Sequence, residues 1–247
     1  PGAGCVGSRR CAGAALAGDV SRAVTGQGVG PLGIFGGTFD PIHYGHLRTA
    51  LELLDSLSLT EVRFVPCGEQ PLRSASTAPG ATRLRMVRAA VAGEARFSVD
   101  TRELERSGPS YSLDTLTGLR TEHAERPLCL LLGMDAFASL PDWYRWRELI
   151  GLVHIVVAHR PGWHAPGEGD LGDLVRAHAA HAPRDLVSAR SGRVFVTPVT
   201  QLEISATALR ASIRAGRDPR YLVPEPVRAI IQQTQCYAGP RGATTQA

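Results

Sequence analysis

Short apolar segments alternate along the chain with segments of helical period, and this alternation limits the possible folds more than any other feature. The predicted strands lie at 32–35, 62–65, 97–99, 128–132, 155–158 and 194–196. Between and after them, apolar residues recur at helical spacing, as at Leu47, Ala50, Leu51 and Leu54. The unbroken apolar run at 128–132 is typical of a central strand buried on both faces. We therefore predict a single α/β domain with a parallel sheet, helices on both faces, and ligands beyond the carboxyl ends of the strands.

Length, charge and cysteine content narrow the possible functions. The 247 residues carry a net charge of +4, which suits an enzyme for anionic small molecules. The arginines are scattered and form no basic arm, so we predict no nucleic-acid partner. Five cysteines without a C-x-x-C pair argue against a disulfide framework and favour a reducing cytoplasm. No apolar run approaches the roughly 18 residues of a membrane span, and the sequence leaves the oligomeric state open.

The two ends of the chain differ from the middle in composition. Residues 1–30 are rich in Gly, Ala and Ser, and Arg9-Arg10 before an alanine-rich stretch faintly resembles a signal sequence. Glycine breaks that stretch, so we interpret 1–30 as a disordered extension, or as upstream sequence included by a mistaken start. We predict the folded domain at 31–238 and a flexible tail at 239–247.

The densest chemical signal lies where the first predicted strand meets the first predicted helix. It reads Gly36-Gly37-Thr38-Phe39-Asp40-Pro41-Ile42-His43-Tyr44-Gly45-His46. Glycines let backbone N–H groups approach an anion, and a helix N-terminus adds partial positive charge. His43 and His46 share a face of a helical turn, and each can donate a hydrogen bond to a phosphate oxygen, more strongly when protonated. With the hydroxyl of Thr38, this run predicts a phosphate site.

The same run has two other interpretations. His43, His46 and Asp40 have the side chains of a zinc site, but no further Cys or His lies at ligand spacing, so we predict no metal site. Asp40-Pro41 is also a common way to form a turn and begin a helix.

A second motif lies near the C-terminus, at Ile204-Ser205-Ala206-Thr207-Ala208-Leu209-Arg210. Ser205 is a good N-cap, and the helix it begins leaves N–H groups free for a phosphate. Thr207 adds a hydroxyl, and Arg210 lies close enough along the helix to reach the same anion. Taken alone, the segment is better explained as an ordinary capped helix that carries a surface arginine.

Taken together, the two motifs resemble those of the nucleotidylyltransferase superfamily, which carries T/H-x-G-H and I-S-S/A-T-x-x-R signatures on a Rossmann-like sheet. The run His43-Tyr44-Gly45-His46 is also similar to a signature of class I aminoacyl-tRNA synthetases, but the chain is short for one and lacks K-M-S-K-S. Further stretches narrow the resemblance to bacterial nicotinate-nucleotide adenylyltransferases. They are Gly108-Pro109-Ser110-Tyr111-Ser112-Leu113-Asp114-Thr115-Leu116, Leu132-Gly133-Met134-Asp135, Pro141-Asp142-Trp143-Tyr144, Arg160-Pro161-Gly162 and Tyr221-Leu222-Val223-Pro224.

This resemblance implies transfer of the adenylyl group of ATP to nicotinate mononucleotide, with Mg²⁺ carried by ATP. It implies catalytic roles for His43, His46 and Arg210. For ATP it implies contacts from these three and from Gly36, Gly37, Thr38, Phe39, Gly133, Asp135, Ile204, Ser205 and Thr207. For nicotinate mononucleotide it implies contacts from Arg73, Tyr111, Ser112, Trp143 and Tyr144.

The side chains suit these roles, with two departures. Trp143 can stack on the pyridine ring, and Asp135 can accept hydrogen bonds from ribose hydroxyls. The family's P-P-H-K/R element is here Gln70-Pro71-Leu72-Arg73, so a phosphate-binding histidine is replaced by leucine. Ala206 also stands where many members have serine. Phosphopantetheine and nicotinamide mononucleotide adenylyltransferases, and a non-catalytic nucleotide sensor, stay as alternatives.

Overall fold

The structure is a computed structural model that describes residues 1–2, 30–69, 76–159, 166–200 and 202–238. Most of the predicted N-terminal extension, at 3–29, and the predicted tail at 239–247 lie outside these residues. The boundaries of the 31–238 domain stay a prediction.

Within the described residues, six parallel strands form one sheet in the order β3-β2-β1-β4-β5-β6. They are β1 (Leu32–Gly37), β2 (Glu61–Pro66), β3 (Phe97–Val99), β4 (Leu128–Gly133), β5 (His154–His159) and β6 (Val194–Pro198). Each predicted strand is confirmed to within two residues at its ends. The order reverses between β1 and β4, the switch point where dinucleotide-binding sheets hold their ligands.

The helices are α1 (Tyr44–Ser56), α2 (Gly80–Val91), α3 (Arg102–Glu105), α4 (Ser112–Glu122), α5 (Met134–Ala138), α6 (Leu149–Leu152), α7 (Gly169–His178), α8 (Ala206–Arg214) and α9 (Glu225–Thr234). The long helices confirm the periodic segments of the sequence, including α7 in the loop-rich stretch after β5. The sequence did not predict α3, α5 and α6, because four or five residues are too few to show a helical period.

The sheet has a hydrophobic core on each face. Along β4, Cys129 and Leu131 belong to one core and Leu128, Leu130 and Leu132 to the other, as the alternation of side chains in a strand requires. Residues of α1, α2, α8 and α9 complete the first core, and residues of α4, α6 and α7 complete the second. Helices therefore cover both faces, which confirms the predicted architecture.

The carboxyl ends of β1 and β4 separate. The two strands pair only from Leu32 opposite Leu128 to Ile34 opposite Leu130, although β1 continues to Gly37 and β4 to Gly133. In contrast, β1 pairs with β2 along its whole length. The unpaired ends of β1 and β4 therefore open a crevice at the switch point.

None of the helices in the described ranges is long and apolar enough to cross a membrane. The cytoplasmic location and the lack of a nucleic-acid partner stay predictions.

Candidate active site

A cleft of about 1750 Å³ lies where β1 and β4 separate. It is lined by the ends of both strands, the start of α1, the residues before and at the start of α4, the segment after β4 and the start of α8. Elements from distant parts of the chain thus meet at one site, as the carboxyl edge of a parallel sheet allows.

The cleft brings together every predicted site residue that the structure describes. These are Gly36, Gly37, Thr38, Phe39, His43, His46, Tyr111, Ser112, Gly133, Asp135, Trp143, Tyr144, Ile204, Ser205, Thr207 and Arg210. The remaining one, Arg73, lies outside the described residues, as does Leu72. Their individual roles stay predictions.

Three glycines of the first motif are important because they have no side chain. A Cβ atom on Gly37 would lie 3.0 Å from the ring of Phe39, and one on Gly45 would lie 3.0 Å from Nδ1 of His43. These two glycines therefore permit close packing of the neighbouring rings. A Cβ atom on Gly36 would meet nothing within 4 Å, so this glycine leaves room in the cleft itself.

The two histidines lie against each other at the start of α1. Their rings are stacked with centroids 3.7 Å apart. The backbone N–H of His43 donates to Nδ1 of His46 at 3.3 Å, so the neutral ring of His46 carries its proton on Nε2. Nδ1 of His43 is buried and has no hydrogen-bond partner among the described residues. Stacking and this hydrogen bond therefore hold the two rings in place, and their ring nitrogens can form hydrogen bonds to a ligand.

Burial keeps both histidines neutral in the free protein. It lowers the pKa of His43 to about 4. Burial and the charge of His43 together hold the pKa of His46 well below its usual range. Near pH 7 each ring is thus a neutral hydrogen-bond donor, not the cation that would bind phosphate more strongly. Bound phosphates would raise both pKa values, because an opposite charge favours the protonated ring.

Aromatic packing fixes the ring of His46. Phe39 is buried and meets it edge-on with centroids 5.2 Å apart, and Phe35 lies 6.3 Å away. Phe39 also has a positive φ of 48°, which is uncommon for a residue with a side chain. The ring of Phe39 belongs to the hydrophobic core, so its predicted contact with ATP would come from the backbone.

The second motif faces the first across the cleft. Ser205 is the N-cap of α8 and accepts a hydrogen bond from the N–H of Ala208 at 3.4 Å, which confirms the predicted cap. Arg210 donates to the backbone carbonyl of Asp40 at 2.7 Å and to Oγ1 of Thr207 at 3.3 Å. Hydrogen bonds from Arg210 therefore connect the second motif to the first and hold this side chain at the edge of the cleft.

The opposite side of the cleft is aromatic and more open. The rings of Tyr111 and Tyr144 lie 4.6 Å apart, and Tyr144 is 50% exposed. Trp143 stands next to Tyr144 and is partly buried. Ser112 is the first residue of α4, where N–H groups have no carbonyl partner within the helix. A flat ring and a carboxylate can both be bound here.

Sequence reasoning missed two charged residues near the cleft. Arg83 is buried on α2 and donates to the carbonyls of Thr38 and Cys67, at 2.8 and 2.9 Å, beyond the ends of β1 and β2. Its position on the apolar face of α2, with Met86 and Val87, was the available signal. Glu103 lines the cleft and accepts a hydrogen bond from the hydroxyl of Thr115 at 2.7 Å, while burial raises the pKa of Glu103.

The zinc interpretation of the first motif gains no support. Among the described residues no group of three or more His, Cys, Asp or Glu side chains is placed to hold a metal ion. Both carboxylate oxygens of Asp40 accept hydrogen bonds from protein groups.

Comparisons with known proteins agree with this geometry. Residues 34–212 match the family model of cytidylyltransferase-like proteins. A relative from Methylococcus capsulatus, named a probable nicotinate-nucleotide adenylyltransferase, is 46% identical over 208 residues, which are 84% of this chain and 99% of the relative. A relative of the same name from Aeromonas hydrophila is 45% identical over 207 residues, which are 84% of this chain and 97% of that relative.

Solved structures show the same fold at low sequence identity. The nicotinic acid mononucleotide adenylyltransferase of Plasmodium falciparum, in complex with NaAD, superposes with a TM-score of 0.64 at 16% identity. The match covers 84% of this chain and 97% of that one. The fold, the cleft and the extent of the sequence matches lead to one conclusion: the chain belongs to the nicotinate-nucleotide adenylyltransferase family of cytidylyltransferase-like proteins.

Proposed function

We propose that this protein transfers the adenylyl group of ATP to nicotinate mononucleotide, giving nicotinate adenine dinucleotide and pyrophosphate in NAD biosynthesis. The observation that carries the proposal is the meeting of three elements in one cleft: the histidine motif, the N-terminus of α8 with Arg210, and the aromatic side with the start of α4. The first two suit phosphates, and the third suits a flat ring with a carboxylate.

The reaction needs no nucleophile from the protein. A phosphate oxygen of nicotinate mononucleotide attacks the α-phosphorus of ATP in line, and the bond to the bridging oxygen of pyrophosphate breaks. The protein must hold two anions together and stabilise the charge that builds up on the oxygens. We assign this to hydrogen bonds from His43, His46 and Arg210, with N–H groups and hydroxyls of Ser205 and Thr207.

A divalent ion that arrives with ATP would add to this charge stabilisation. We propose Mg²⁺, held mainly by ATP oxygens and water, as the ion that screens the leaving pyrophosphate. Asp135, at the start of α5 on the cleft wall, is proposed to accept hydrogen bonds from ribose hydroxyls.

Preference for the acid over its amide is proposed to depend on backbone donors. The N–H groups at Ser112 and Tyr144 would hold the ring carboxylate, while Trp143 stacks on the ring. A hydrogen bond to a charged group is worth about 1.5–3 kcal/mol, so each lost donor would cost roughly 10- to 100-fold in affinity.

The test is pyrophosphate release with ATP-Mg²⁺ and either nicotinate mononucleotide or its amide. We expect kcat/KM to favour the acid strongly. S112P then removes one N–H at the first position of α4, where proline is tolerated and where Tyr111 already has the extended backbone that precedes proline (ψ 135°). S112A is the matched control, because it removes the hydroxyl and keeps the N–H.

The two variants separate the outcomes. We expect S112P to reduce the preference for the acid at least tenfold and S112A to leave it nearly unchanged. Equal use of acid and amide by the wild type would contradict the carboxylate site but keep the phosphate chemistry. ATP binding without pyrophosphate release would favour a different acceptor or a nucleotide sensor.

A further inference from the structure

Asp40, between the glycines and the histidines of the first motif, is the point where four segments of the chain meet. It is only 3% exposed. Its carboxylate accepts hydrogen bonds from the N–H groups of Thr77 at 2.7 Å and Ala78 at 3.1 Å, and from the hydroxyl of Tyr237 at 2.6 Å. Its backbone carbonyl accepts the hydrogen bond from Arg210. A shift of Asp40 would therefore also shift the groups bonded to it.

These segments all belong to the cleft, apart from the one that carries Tyr237. Thr77 and Arg210 line the cleft directly. Tyr237 follows α9, lies 197 residues from Asp40 in sequence, and is 1% exposed. It also lies beyond the residues that match the family model. Tyr237 thus contacts the first motif through Asp40 but does not itself line the cleft.

The hydrogen bond from Tyr237 is a strong one. Its length is typical of a hydroxyl that donates to a carboxylate, and such charge-assisted bonds are about twice as strong as neutral ones. Burial and the neighbouring carboxylate of Asp40 raise the pKa of Tyr237, so the phenol stays protonated and remains a donor throughout the neutral range.

We propose that Tyr237 is a positioning residue for adenylyl transfer: through Asp40 it fixes the placement of Arg210 relative to the two histidines. This inference rests on the proposed function. Small displacements of groups that align two reactants can cost a large factor in rate, even when both reactants still bind. The aromatic side of the cleft is not connected to Asp40 by these hydrogen bonds, so binding of the ring should be preserved.

The experiment compares Y237F with wild type in steady-state pyrophosphate release, at a temperature well below the melting point of both. Phenylalanine keeps the buried ring, and Asp40 keeps its two N–H donors, so we expect a folded protein. We expect kcat to fall about tenfold while KM for nicotinate mononucleotide stays within twofold. T234V is the matched control, because it removes a hydroxyl at the same helix end, which donates to the carbonyl of Ile230 at 2.8 Å.

A double-mutant cycle distinguishes positioning from general support of the fold. If Tyr237 acts through Arg210, adding Y237F to R210A should change kcat less than twofold, because the group it positions is already absent. A tenfold fall in both backgrounds, or no fall in kcat for Y237F alone, would overturn the inference. Failure of the proposed function would instead be seen in the wild type, as a lack of pyrophosphate release.

D40N provides a second route if Y237F melts below the assay temperature. Asparagine keeps one acceptor oxygen but places an NH₂ group against a backbone donor. It should therefore weaken the hydrogen bonds that hold residue 40 in place. We expect the same loss of kcat with little change in KM, and full kcat in D40N would also overturn the inference.

Discussion

The two sides of the cleft are built in different ways. On the phosphate side, Asp40 and His43 are 3% and 5% exposed, and hydrogen bonds connect the first motif with Arg210 and Tyr237. On the aromatic side, Tyr144 is half exposed and its ring contacts are with Tyr111 and the guanidinium of Arg145. The difference suggests that the groups proposed for the chemical step are preorganised, whereas the groups proposed to select the acceptor are free to adjust to it.

The largest expected effect comes from a change on the phosphate side. H46A removes a donor whose ring is fixed by Phe39 and by the N–H of His43. Loss of one preorganised donor to a developing charge typically lowers kcat by about 10²–10³-fold. We expect such a fall, with KM for nicotinate mononucleotide changed less than threefold in the same kinetic assay. A kcat close to wild type would show that the rigid side does not carry the chemistry.

Acid should lower the stability of the folded protein, because His43 on the phosphate side is buried as a neutral ring. His43 has a pKa of about 4 in the folded protein and about 6.5 when unfolded. The unfolded chain thus binds the proton more readily, and stability is lost as pH falls from 6.5 towards 4, by up to about 3 kcal/mol. Urea unfolding of wild type and H43N across this range measures the effect, and we expect a shallower loss in H43N. Parallel curves would contradict the assignment to His43.

The smallest expected effect comes from the aromatic side. W143A removes a ring that can stack on the acceptor, and stacking of an aromatic side chain on a base is worth about 1–3 kcal/mol. We expect KM for nicotinate mononucleotide to rise roughly tenfold, with kcat changed less than threefold. Y44A, at an exposed tyrosine outside the cleft lining, is a control for general loss of aromatic surface. A fall in kcat that matched H46A would remove the distinction between the two sides.

Local pattern was enough to predict most of the fold. Apolar runs located all six strands, most clearly the central β4, which is buried on both faces and has no polar side chain. Helical spacing located the long helices, and Ser205 was identifiable as a cap from its residue type and position. Where a helix is a single turn, as in α3, the chain has no period to detect.

The site was predictable only where the chemistry lies within a short motif. His43, His46 and Arg210 belong to such motifs, and the cleft brings them together. The hydrogen bond between Tyr237 and Asp40 joins residues 197 positions apart, and neither residue alone indicates it. The neutral state of the histidines was also hidden, because it depends on burial by the fold. Sequence suggested that protonation strengthens phosphate binding, but the free protein holds both rings uncharged.

Where β1 and β4 separate, β4 ends in Gly133 and β1 has Gly36 next to its last residue. A Cβ atom on Gly36 or Gly133 would meet no protein atom within 4 Å. Neither residue has a positive φ, so alanine fits the backbone at both positions. The fold therefore tolerates a methyl group at either position. If the nucleotides bind against these two glycines as proposed, alanine there would exclude the natural substrates, and an analogue that lacks the facing atom would fit only the altered cleft.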